Sequence, residues 1–109
     1  MSKAASTTLA WSFKSDLSQD EMLRRLDERW PSTWSISDSG RHGDYVAGRL
    51  TPEAVARIYE DGPGFVVHLR FSSPGGDVRA QLLAAQQRLI VEVLPLVGAR
   101  DVDTTEPLD

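Results

Sequence analysis

The chain has 109 residues, a net charge of −4, 40% apolar and 26% charged residues, and no cysteine. That is one domain's worth of chain, too apolar for a disordered or fibrous protein, with no thiol for disulfides or thiolate metal ligands. Four acids and one Arg fall in the last ten residues, leaving 11 basic and 12 acidic side chains over residues 1–99. A body so close to neutral argues against binding nucleic acid or an anionic membrane, both of which draw on a clear basic excess.

Residues 1–6 read as a flexible leader without the apolar run of a secretory signal, and no window approaches the roughly 18 apolar residues of a membrane span. A cytoplasmic location is therefore expected. From Thr8 to Phe13 apolar and small polar residues alternate, placing Leu9, Trp11 and Phe13 on one face of a half-buried strand. Ser18-Gln19-Asp20-Glu21 then matches a capping box, with Leu17 and Met22 at the staple positions and acids in the first turn. Leu23, Leu26 and Trp30 continue the apolar stripe, and Pro31 stops it, so a helix is predicted over 19–30.

Four short strands should follow. Residues 33–37 point Trp34 and Ile36 inward, and the polar, Gly-containing run after them reads as a hairpin loop. Residues 44–50 turn Val46, Gly48 and Leu50 one way and Tyr45, Ala47 and Arg49 the other. Residues 55–60 set Ala56 and Ile58 inward, with Arg57 and Tyr59 outward. Asp61-Gly62-Pro63-Gly64 is a turn. Residues 65–71 alternate most clearly, with Phe65, Val67, Leu69 and Phe71 opposed to Val66, His68 and Arg70.

After a turn through SSPGGD, Asp77 is the expected N-cap of a long helix ending near Leu94, before Pro95 and Gly98. Val78, Leu82, Leu89 and Val93 stack on one side of it, and Leu83, Ile90, Leu94 and Val97 widen that side to roughly half the circumference, beyond the ~100° a core-facing helix needs. The excess must meet the first helix, the tail, or a second copy in a homodimer through this helix. The polar residues from about 100 to 109 read as a flexible tail, with at most a stub of strand at 100–103.

The expected order is β-α-β-β-β-β-α. Short loops between the last four strands favour antiparallel neighbours, since a parallel pair needs a crossover of a dozen residues or more. The result is a single α+β domain, a two-layer sandwich with a mostly antiparallel sheet of about five strands and two helices on one face.

Catalytic signals are sparse. His42 and His68 lack any metal-ligand spacing, so neither a metal nor another cofactor is expected. The SSPGGD loop is neither a dinucleotide nor a Walker fingerprint, and Asp77 at its mouth would repel an anion. Ser72 or Ser73 beside His68 lacks the setting of a nucleophile, and the neighbouring carboxylates Glu60-Asp61 and Asp27-Glu28 read as solvated surface charge. The chain leans away from an enzyme.

One constellation stands out. With inward sets aligned, Arg49 should fall beside Arg57 and Arg57 beside His68, with Tyr45, Tyr59 and Arg70 near them. Both helices are needed on the other face, so this one has no predicted cover. Its plainer account is a solvated face whose Arg stems shield the strands. Its functional account is a contact surface for an acidic or aromatic partner. The expected function is a small cytosolic binding protein that regulates or neutralises a protein partner, in the manner of immunity proteins and antitoxins. The alternative is a small-ligand binder or minor enzyme with a pocket between sheet and helices near Trp11, Trp34 and His68.

Overall fold

A computed structural model describes residues 4–108. The capping box forms at the predicted place. The Ser18 side chain accepts from the Glu21 N–H at 3.2 Å, and the Ser18 N–H donates to Glu21 Oε1 at 3.2 Å. Those bonds hold the Glu21 carboxyl below the usual carboxylate range. Helix α1 (Gln19–Arg29) ends with Trp30 as its C-cap, and buries Met22 and Leu26 completely.

Strand β1 (Ala5–Lys14) precedes α1. After it come β2 (Trp34–Asp38), β3 (Asp44–Thr51), β4 (Ala54–Asp61) and β5 (Gly64–Ser73). Asp77 caps α2 (Val78–Arg88), its side chain accepting from the Ala80 N–H. The helix continues through a π turn (Leu89–Val93) and one last α turn, α3 (Leu94–Leu96), to β6 (Arg100–Thr105). The sheet order is β2-β3-β4-β5-β1-β6, and every neighbouring pair is antiparallel. Helix α1 lies over β2 and β3, and α2 over β5 and β3, so both occupy one face. The chain is an α+β sandwich, with α1 as the crossover that carries it from β1 to the far edge.

The core is built from the inward sets the alternation predicts. Val46, Ala56, Ile58, Val67 and Leu69 are wholly buried, and Phe13 stacks on Phe65 at 5.4 Å. Gly48 faces Trp34 across the β2–β3 pair, and a Cβ there would overlap the indole. The glycine is what lets the Trp34 ring lie flat on the sheet.

The π turn departs from a plain helix for a reason written in the spacing. Ala85, Leu89, Val93 and Val97 recur every four residues, and four α-helical residues overshoot a full turn by about 40°. A widened turn, in which the Leu94 N–H donates to the Leu89 carbonyl, takes up that overshoot. All four side chains are fully buried as a result. Leu82 is only half-buried. Leu83 and Ile90, expected to widen the buried side, instead lie 55% and 40% exposed, beside Val91 at 63%.

Two further expectations are corrected. Ala5 and Ser6, read as leader, belong to β1 and pair with Ser73 and Ser72; Ala4 precedes the strand, and residues 1–3 of that leader lie outside the described residues. The tail read as flexible forms β6, a sixth strand paired with β1. Every β6 side chain is exposed, so burial gave it no pattern to read. It is held instead by backbone pairing and by the Arg100–Asp16 ion pair at 2.9 Å. Its acids also blunt an edge that could otherwise recruit another strand.

Candidate binding face

The face away from the helices is ordered in cross-strand rows. In the first, Arg49 of β3 opposes Val55 of β4, which opposes Arg70 of β5, which opposes Thr8 of β1. In the second, Ala47, Arg57, His68 and Ala10 stand side by side. The third sets Tyr45 beside Tyr59 and Tyr59 beside Val66. All six residues singled out in the sequence, Tyr45, Arg49, Arg57, Tyr59, His68 and Arg70, share this face. Arg57 does oppose His68. Arg49 does not oppose Arg57: the β3–β4 register sets it opposite Val55, two residues along, so it lies diagonal to Arg57.

The three arginines therefore form a triangle around Val55. They line an open groove of about 420 Å³, floored by β4 and β5 and bounded by Glu53 and by Ser6, Thr7 and Thr8. Arg49 Nη1 donates to the carbonyls of Thr51 and Pro52, which fixes its stem against the β3–β4 turn. Arg57 lies over the Tyr45 ring, 4.9 Å from its centroid, and its Nε is buried without a hydrogen-bond partner. Among the described residues the ion pairs engage Arg29, Arg88 and Arg100, and none of the three groove arginines.

The other half of the face is not open, which corrects the expectation that it lacks cover. Tyr59 and His68 are 5% and 7% exposed. Tyr59 sits between Tyr45 at 5.2 Å and His68 at 4.9 Å, and His42 from the β2–β3 loop meets it edge-on at 6.0 Å. The segment after β6 folds back over this cluster, and the Leu108 N–H donates to His68 Nε2 at 2.8 Å. An amide can only donate, so that nitrogen carries no proton and the imidazole is neutral. Burial first, and then the electrostatic influence of Arg70, His42 and Arg57, push the His68 pKa below its usual value. Pro107, Leu108 and His42 are the contributors the sequence reading missed; nothing local in a polar tail marks where it lands.

Trp34 opposes Gly48 on the helix side, where Trp11 also packs against the core, whereas His68 faces the opposite side. The three cannot line one pocket between sheet and helices. The described residues contain no cluster of three metal-ligating side chains and no helix long and apolar enough to cross a membrane. No protein-family model matches the chain, and comparison with curated proteins returns no significant match.

Proposed function

We propose that this is a binding protein whose sheet face holds an acidic segment of a protein partner, and that it regulates or neutralises that partner by occupying it. The observation that carries the reading is the arginine triangle. Three guanidinium groups gathered in one groove with no carboxylate ion pair repel one another, an arrangement that is relieved when an anion enters. Arginine is also the residue whose planar fork best matches a carboxylate edge, and interface energy concentrates in such anchors. A cytoplasmic setting is part of the same proposal.

The test is capture of partner from an extract of the source cells by immobilised protein. Arg57→Ala with Arg70→Ala should lower retention at least tenfold, since about 1.4 kcal/mol is a factor of ten and an anchor of this kind contributes about 2 kcal/mol or more. Arg79→Ala, a loss of one arginine charge on exposed α2, should leave it bound. Retention that ignores the sheet substitutions and fails with the helix one refutes the assignment of the face.

A second reading has its own observation: the exposed Leu83, Ile90 and Val91 line a shallow depression of about 430 Å³ on the outer side of the long helix. A second copy meeting this patch would give a homodimer through that helix. Sedimentation of wild type against Val91→Glu tests it: one species for both, at monomer mass, ends the reading.

A further inference from the structure

We infer that the groove around Val55 is a binding site for a phosphate monoester. The inference sharpens the sheet-face reading, resting on it for the location and naming the anion. Charge is the first ground. Arg49, Arg57 and Arg70 set three positive charges against the single negative charge of Glu53, leaving the groove at +2. A carboxylate side chain carries −1 and would leave the groove undercompensated, whereas a phosphate monoester carries about −1.5 to −2 at neutral pH.

Donor geometry is the second ground. Arg49 and Arg70 flank Val55 on neighbouring strands, so their backbones stand roughly 10 Å apart, two strand spacings, and Arg57 closes the triangle two residues along β4. Three guanidinium-bearing side chains line the groove, which supplies donors enough for the three terminal oxygens of a phosphoryl group as against the two of a carboxylate. Thr8 and Ser72 border the same groove with hydroxyls that can add neutral donors. Size is the third: about 420 Å³ exceeds the phosphoryl group and leaves room for the group it esterifies.

The test is calorimetric titration at constant ionic strength in chloride, using three probes: inorganic phosphate, a capped Ala-phosphoserine-Ala peptide, and the same peptide with aspartate. Both phosphate probes should bind wild-type protein and compete with each other, and the aspartate peptide should bind at least tenfold more weakly. Arg70→Gln, a change at an exposed position that leaves the fold intact, should weaken phosphate at least tenfold. Glu53→Gln should tighten it several-fold by removing the one opposing charge. A peptide at least tenfold tighter than inorganic phosphate identifies a phosphorylated segment as the source; equal affinities identify a free small-molecule ester. Phosphate heats no different from chloride, or an Arg70→Gln protein that binds as wild type does, overturn the inference. If phosphate fails while the arginine variants still lose the protein partner, the sheet-face proposal stands and only the anion is wrong.

Discussion

Leu89 and Ile90 are adjacent and similarly apolar but lie in different surroundings. Leu89 is wholly buried and Ile90 is 40% exposed. Truncating Leu89 to Ala removes its transfer free energy and leaves an enclosed cavity beneath the helix, together about 2–5 kcal/mol. Ile90→Ala differs on both counts. Full burial of an isoleucine is worth about 1.5–3 kcal/mol, less than two-thirds of that area is covered here, and alanine retains part of it. The gap it leaves opens to solvent, so no cavity forms, and the expected loss is about 1 kcal/mol or less. Urea unfolding followed by tryptophan fluorescence reads both. With a slope of about 1–3 kcal/mol per M, a loss near 3 kcal/mol shifts the midpoint by at least about 1 M, whereas the Ile90 variant should move by a fraction of that. Equal shifts would refute the burial assigned to the two side chains, Leu89 in the core and Ile90 at its margin.

Three further outcomes are expected. Ser18→Ala should cost about 0.5–2 kcal/mol through loss of the cap, and Thr8→Ala, a hydroxyl deletion on an exposed strand position, should cost less in the same urea assay. Tyr59→Ala should destabilise by about 3 kcal/mol or more, since the ring is buried between Tyr45, His68 and His42; a near-neutral effect would mean the tail and loop do not cover it. His68 holds its proton less well folded than unfolded, so its contribution to stability is complete above the unfolded value near 6.5 and is lost as pH falls through 6.5 toward the lower folded value. Melting temperature should therefore drop more steeply between about pH 7 and 5.5 in wild type than in His68→Gln, and identical slopes would remove the role assigned to the tail contact.

Strict alternation in β3, β4 and β5 made both faces of the central sheet legible, because each residue's side follows from its parity. Relative position across strands was less so. The six face residues could be gathered, but the β3–β4 register is set by the turn that joins the strands, and it places Arg49 opposite Val55, diagonal to Arg57. The capping box was readable because its bonds span three residues. Strand β6 and the tail over His68 were not, since both depend on contacts with distant residues and neither buries a periodic set of its own. The same reading over-counted the buried side of the long helix: Leu83 and Ile90 have the right character but are exposed, whereas Leu94 and the four-residue row from Ala85 to Val97 are buried.

The most direct measurement of the sheet-face proposal is site-specific photo-crosslinking in the source cells. A photoreactive phenylalanine at Ser72, exposed at the rim of the arginine groove, is compared with one at Gln87, exposed on the helix side. A partner bound on the arginine face gives a protein adduct from position 72 that disappears when Arg57 and Arg70 are both alanine, and none of the same mass from position 87. An adduct from position 87 alone, or one from position 72 that survives loss of both arginines, contradicts it.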